Sequence, residues 1–87
     1  MAYTLEDIVN QLETHIRERY NIEPDDDEFN ADVHLFDYGY IDSMGATALI
    51  AHIEQTYGFE VTNQDLMLYP LNTINEIAAY IHQKIAR

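Results

Sequence analysis

The sequence predicts an all-α fold: a four-helix bundle of three longer helices and one short third helix, with a long loop between helices 1 and 2. Three segments repeat apolar residues at the spacing of one helical face, and each follows a residue that commonly caps a helix. The 87 residues suffice for one core, so we expect a single domain over 1–87. The composition, 47% apolar and 23% charged, is typical of a folded chain.

The first predicted helix begins after Thr4. Thr4 is a favourable N-cap, and Asp7 three residues later can close a capping box and complement the positive helix end. Acids and arginines occupy the other faces of this segment. Its apolar face consists of Leu5, Ile8, Val9, Leu12, Ile16 and Tyr20.

Helical periodicity is lost between residues 21 and 41, where the chain contains Pro24, an acidic run and Gly39. A loop of this length is unusual in a small domain unless its own side chains anchor it, so we expect Leu35 and Phe36 to be buried. Some positions match a calcium-binding loop, but alanine replaces the turn glycine, and we favour a solvated acidic loop without metal. The matching side chains are Asp26, Glu28, Asn30 and Asp37.

Caps and helix breakers mark the next two helices. Helix 2 is "SMGATALIAHIEQTY", which follows Asp42 and ends at Gly58. The short helix 3 follows Thr62 and ends before Pro70.

The fourth helix is predicted after Thr73 or Asn72, either of which can cap it. The basic residues Lys84 and Arg87 lie at its C-terminal end, where the helix dipole favours positive charge. The helices should meet in an aliphatic core, with Phe36 and Tyr57 at its edges. That core is predicted to contain Leu12, Ile16, Leu49, Ile53, Leu66, Ile74, Ile77 and Ile81.

The charge balance restricts the partners. Sixteen acids against four lysines and arginines give a formal net charge of -12, so nucleic acid and anionic membrane surfaces should repel the chain. The sequence has no cysteine, which excludes disulfides and thiolate chemistry. With no signal peptide and no membrane span in the sequence, we expect a cytoplasmic protein, and a monomer by default.

Spacing alone leaves three interpretations of Ser43, which begins helix 2. A hydrolase nucleophile elbow needs glycine two residues before and after the serine, but only Gly45 fits, since Ile41 occupies the other position. The pair Asp42 and Ser43 can simply cap the helix. Alternatively, an exposed hydroxyl at a helix start can accept an attached anionic group, which the free backbone N–H groups and the helix dipole would tolerate.

The segment "LFDYGYIDSMGATALIAHIEQTYGFEV", residues 35–61, resembles the acyl carrier protein family. The resemblance extends over nearly the whole chain, through the order of the helices and the Gly-x-x-Asp-Ser-Met pattern. It implies that a phosphopantetheinyl transferase attaches 4′-phosphopantetheine covalently to Ser43. It also implies that Asp42 caps helix 2 or contacts that transferase. The protein would then be a carrier of acyl or aminoacyl thioesters and not an enzyme.

The resemblance also implies partners that load and accept the cargo, in fatty acid, polyketide, nonribosomal peptide or related synthesis. Helix 2 lacks most of the acids that fatty-acid carriers present to basic enzymes, and the Asp-Ser-Met-Gly phrase is closer to D-alanyl, peptidyl or specialised acyl carriers. The residues expected to face partners are Met44, Thr47, Ala48, Ala51, Glu54 and Gln55. One alternative is that these residues, except Glu54, are partly buried against helix 3. The alternative function is a small acidic helical adaptor without a prosthetic group.

Overall fold

The computed structural model describes residues 3–23, 25–69 and 71–85. Within these ranges it contains four α-helices and no strand, so the predicted all-α class is confirmed. None of the described helices is long and apolar enough to cross a membrane. The helices are α1 (Leu5–Arg19), α2 (Ser43–Tyr57), α3 (Asn63–Leu68) and α4 (Ile74–Ile85).

The first and the last helix each begin with two residues whose side chains accept hydrogen bonds from each other's backbone amides. In α1, the hydroxyl of Thr4 accepts from the amide of Asp7, and the Asp7 carboxylate accepts from the amide of Thr4, both at 3.1 Å. In α4, the Thr73 hydroxyl accepts from the amide of Glu76 at 3.1 Å, and the Glu76 carboxylate accepts from the Thr73 amide at the same distance. The predicted capping box of α1 is confirmed, and Thr73 provides the side-chain cap of α4. Arg87 lies outside the described residues.

The core is formed mainly by α1, α4 and the long loop. Helix α1 contributes three side chains that are almost completely buried, and α4 contributes a full apolar face. Leu66 is a correction to the predicted core, because its side chain is 43% exposed. Helix α3 turns a different residue inward, Asp65. The side chains with less than 2% exposure are Ile8, Leu12, Ile16, Leu35, Ile74 and Ile81.

The long loop is fixed by its own buried side chains, as predicted for Leu35. The Leu35 side chain is fully buried, its amide donates to the carbonyl of Asn72 at 2.9 Å, and its carbonyl accepts from the Ile41 amide at 3.1 Å. Phe36 is half-buried, while Phe29 is buried under the guanidinium of Arg17, whose Cζ lies 4.7 Å from the ring centroid. The loop therefore delivers the chain to the start of α2 along a fixed path.

The acidic loop residues use their oxygens locally. Asp26 accepts from the amide of Glu28 at 2.9 Å and from the Tyr40 hydroxyl at 3.2 Å. Asn30 accepts from the amide of Asp32 at 2.8 Å. Over the residues that the structure describes, no three His, Asp or Glu side chains are grouped so that they could hold a metal ion.

Candidate functional site

Ser43 is the first residue of α2 and is exposed to solvent. The cap is provided by the preceding residue: Asp42 has extended backbone, and its Oδ1 accepts from the amide of Gly45 at 2.7 Å. The Asp42 carbonyl also accepts from the amide of Ala46 at 2.8 Å, which begins the helical hydrogen bonding. Because Asp42 is the N-cap, the Ser43 hydroxyl is not needed for capping, and Ser43 is open to solvent.

A close contact between α1 and the first turn of α2 requires glycine at position 45. The hydroxyl of Tyr20, which follows α1, donates to the Gly45 carbonyl at 2.6 Å. A Cβ atom at position 45 would lie 2.8 Å from Cε1 of Tyr20 and 3.1 Å from Cγ2 of Ile41. Burial raises the pKa of the Tyr20 phenol, so this donor keeps its proton at neutral pH. The sequence alone does not indicate this contact, because Tyr20 lies 25 positions from Gly45.

The electrostatic environment of Ser43 suits an attached anion. The first N–H groups of any α-helix lack intrahelical acceptors, and the N-terminal end carries partial positive charge. The first turn of α2 contains no acidic residue that would repel an anion attached to Ser43. The residues at the start of α2 therefore fit a phosphate-linked group on the hydroxyl, without a change in the fold.

The outward face of α2 is small and nearly uncharged. The Met44 side chain is 83% exposed, and the Thr47 hydroxyl donates to the Ser43 carbonyl at 3.2 Å. Five of the six residues expected to face partners are exposed, so the alternative that this side of α2 is buried against α3 is wrong for them. They are Met44, Thr47, Ala48, Ala51 and Gln55. The sixth, Glu54, is half-buried, and its carboxylate accepts from the Val61 amide at 2.9 Å.

The inward face of α2 borders an apolar cavity of about 530 Å³. Helix α3 forms the opposite wall, and α4 and the long loop supply its base. The size of such a cavity depends on how the helices are spaced rather than on any local pattern in the sequence. The residues around it include Phe36, Ala46, Ile50, Leu66, Met67 and Ile77.

The histidines do not form a catalytic arrangement with Ser43. His15 of α1 and His52 of α2 stack with ring centroids 3.6 Å apart and planes 3° from parallel. His34 accepts from the amide of Asp37 at 3.0 Å. In the described part of the chain, no histidine hydrogen-bonds to Ser43, and the hydrolase interpretation lacks the base that it needs.

Comparisons with known proteins agree with this geometry. A family model described as the phosphopantetheine attachment site matches residues 10–81. The chain is 34% identical over 83 residues to an acyl carrier protein of Rhodococcus erythropolis, a match that covers 95% of this chain and 87% of the relative. It is 26% identical over 55 residues to a D-alanyl carrier protein of Abiotrophia defectiva, covering 63% of this chain and 70% of the relative. No solved structure gives a significant match.

Proposed function

This chain belongs to the acyl carrier protein family, and we propose that Ser43 bears its 4′-phosphopantetheine group. The observation that carries the proposal is the separation of roles at the start of α2: Asp42 caps the helix, while the neighbouring Ser43 is exposed on the first turn. When bound, the group supplies a terminal thiol that holds acyl groups as thioesters. Members of the family are carriers and not enzymes, and an adaptor without a prosthetic group does not fit this family.

The residues around Ser43 position its hydroxyl for a phosphopantetheinyl transferase. Asp42 fixes the first turn through the Gly45 amide, and Tyr20 holds the Gly45 carbonyl from the other side. These contacts hold the backbone of the first turn of α2 and leave the Ser43 side chain accessible. Less conformational entropy is then lost when the transferase binds. Removal of the hydroxyl proton and phosphate transfer are tasks of the transferase, since no base of this chain contacts the serine in the described ranges.

The test uses a promiscuous phosphopantetheinyl transferase, coenzyme A and intact-protein mass spectrometry. Ser43 is the only serine in the chain, which makes assignment of the modified hydroxyl simple. Wild type should gain the mass of one phosphopantetheine group, and Ser43→Ala should gain none. Thr56→Ala is the matched control, because it removes an exposed hydroxyl of the same helix outside the face expected to meet partners and should be modified normally. Modification of Ser43→Ala, or none of wild type, would reject the assignment.

We further propose that the outward face of α2 docks the transferase and the loading enzymes through apolar contact. This face presents Met44 next to the serine and carries no acid, while Glu54 is engaged with the Val61 amide. An interface of this kind should depend only weakly on salt. Met44→Ala should lower kcat/KM for the transferase severalfold, whereas the exposed control Gln83→Ala on α4 should leave it unchanged. A steep fall of kcat/KM with added salt would contradict apolar docking.

The cargo that the structure supports best is an apolar acyl chain. The cavity between α2 and α3 is lined mostly by aliphatic side chains, and burial of methylene groups there is favourable at about 0.8 kcal/mol each. A polar aminoacyl group would gain nothing by entering. Carbon-13 shifts of a bound octanoyl chain should differ from those of the same thioester on free pantetheine, whereas loaded alanine should show no such difference. Solvent-like shifts for the octanoyl chain would contradict this cargo.

A further inference from the structure

The C-terminal end of α1 and the first turn of α2 meet through two residues that fit each other. Tyr20 is the C-cap of α1, and its hydroxyl donates to the Gly45 carbonyl at 2.6 Å. The same ring leaves no room for a side chain at position 45, because a Cβ atom there would lie 2.8 Å from its Cε1. The tyrosine and the glycine are therefore matched both in hydrogen bonding and in size.

Tyr20 is presented by a sharp turn of the chain at the next residue. Asn21 has a positive φ of 55°, a left-handed conformation that asparagine adopts more readily than most residues. The amide of Ile22 donates across this turn to the Arg17 carbonyl at 3.0 Å, in the pattern of a Schellman motif. The turn ends α1 at Tyr20 and fixes the backbone from which the phenol extends.

Gly45 makes the first turn of α2 weak on its own, since glycine loses more backbone entropy in a helix than any other residue. Two contacts oppose that loss: its amide donates to Asp42 Oδ1 at 2.7 Å, and its carbonyl accepts from Tyr20. A backbone carbonyl can accept two hydrogen bonds, so the phenol adds to the hydrogen bonding of the helix. Ser43 lies two residues earlier in the same turn, and both contacts hold the backbone that carries it.

We propose that Tyr20 is a positioning residue for the modification of Ser43, through which α1 holds the first turn of α2 in the form that the transferase binds. The inference rests on the proposed attachment of phosphopantetheine to Ser43 and adds a residue of another helix to that site. When a transferase binds only the ordered turn, its apparent affinity is proportional to the fraction of carriers in which the turn is ordered. The phenol raises this fraction before binding and takes no part in phosphate transfer. Loss of its hydroxyl should therefore raise KM and leave kcat unchanged.

Steady-state kinetics of a promiscuous phosphopantetheinyl transferase with coenzyme A test the proposal. Tyr20→Phe removes the hydroxyl and keeps the ring, and its KM should be about threefold to fivefold that of wild type, with the same kcat. Tyr57→Phe is the matched control, because its hydroxyl donates to Gln11 Oε1 at 2.7 Å and joins the same two helices at the other end of α2. The KM of this control should equal that of wild type. Equal KM values for the two variants would overturn the proposal.

Amide hydrogen exchange measures the order of the turn without any transferase. The Ala46 amide donates to the Asp42 carbonyl at 2.8 Å and should exchange about threefold faster in Tyr20→Phe, but at the wild-type rate in Tyr57→Phe. An Ala46 exchange rate that Tyr20→Phe does not change would overturn the proposal even if KM rises. Absence of any modification of wild type would reject the assignment of Ser43 together with this proposal, whereas the other contrary results reject the proposal alone.

The match in size between Tyr20 and Gly45 gives a second test. Gly45→Ala should raise KM severalfold in wild type, because the new methyl group displaces the Tyr20 ring from its hydrogen bond. Tyr20→Leu keeps an apolar side chain against the core but lacks Cε1. In that background Gly45→Ala should have a smaller effect on KM, since Ile41 Cγ2 and Asp42 Oδ1, at 3.1 and 3.2 Å, are the remaining near atoms. An effect of Gly45→Ala that is the same in both backgrounds would contradict the pairing of the two residues.

Discussion

Helices α1 and α3 begin with the same four-residue pattern, Thr-x-x-Asp, and the structure uses the two patterns differently. In α1, Thr4 and Asp7 cap each other's amides. In α3, Thr62 caps the amide of Asp65, but the Asp65 carboxylate reaches Tyr80 on another helix. The difference arises because α1 is already anchored by a buried apolar face, so its acid can serve the helix end. Helix α3 buries no apolar residue among those described, and its acid provides the tertiary attachment.

The same contrast distinguishes two sides of the molecule, one formed by α1 and α4 and the other by α2 and α3. The contact of α1 with α4 is apolar and continuous, which gives a stable framework. The α2 and α3 side contains the cavity, the exposed face beside Ser43 and a polar attachment of α3. A carrier needs both properties, since its attachment residue must stay fixed while the adjacent surface adapts to different partners and cargo.

The largest expected difference comes from a leucine-to-alanine substitution made once in α1 and once in α3. Leu12→Ala removes a side chain with 1% exposure from α1 and should lower the free energy of unfolding by about 2.5–5 kcal/mol. Leu66→Ala in α3 changes a side chain with 43% exposure and should cost less than about 1 kcal/mol. Urea denaturation followed by circular dichroism measures both values. Equal losses would show that α3 is packed as tightly as α1.

If Leu12→Ala does not fold, Ile16→Val tests the same framework more gently. Ile16 is fully buried, and loss of one methylene should cost about 0.5–1.5 kcal/mol. A loss near zero for this variant would contradict the description of α1 as the rigid side.

A smaller effect is expected from the two caps. Thr4→Ala removes the hydroxyl that accepts from the Asp7 amide and should lower the free energy of unfolding by about 1 kcal/mol. Thr62→Ala removes the hydroxyl that accepts from the Asp65 amide, and the Leu66 amide in the same turn of α3 should exchange about fivefold faster. Denaturation and hydrogen exchange together distinguish the two caps. An α3 exchange rate that responds equally to both substitutions would remove the contrast.

The sequence was sufficient to predict what depends on near neighbours. The start of α1 at Thr4, the cap of α2 by Asp42 and the end of α2 at Gly58, whose φ is 75°, all follow from residues within one turn. The burial of Leu35 could also be predicted, since a long loop needs a side chain that anchors it in the core. The position of Ser43 at the start of α2 was predicted in the same way.

What the sequence could not predict depends on residues far apart. Tyr20 meets Gly45 across 25 positions, and Tyr80 meets Asp65 across 15. Leu66 was placed in the core because it is aliphatic and helical, but the adjacent Asp65 occupies the inward direction that α3 offers. Only the three-dimensional placement of α4 makes burial of an acid more favourable than burial of its neighbour.

The smallest expected effect is a difference in how the two helices respond to pH. His15 of α1 is stacked on His52, and burial, the neighbouring His52 and Arg19 lower the pKa of His15, opposed by Glu18. The unfolded chain then binds more protons than the folded chain just below pH 6.5, so this contribution to stability is present above pH 6.5 and is lost as pH falls through the folded pKa. The resulting loss of unfolding free energy should be below about 1 kcal/mol, because solvent screens the charges around the two stacked histidines.

His15→Gln isolates that contribution from the charge of the acids. Protonation of the 16 acids relieves self-repulsion as pH falls and acts in the opposite direction in both proteins. Between pH 7.5 and 5.5, the free energy of unfolding of wild type should therefore fall relative to that of the variant. Over the same range the contacts of Asp65 with Tyr80 and Lys84 should persist, because the hydrogen bond from Tyr80 and the charge of Lys84 lower the pKa of Asp65 and keep its carboxylate ionised. Identical pH profiles for wild type and variant would show that the histidine stack does not couple α1 to α2.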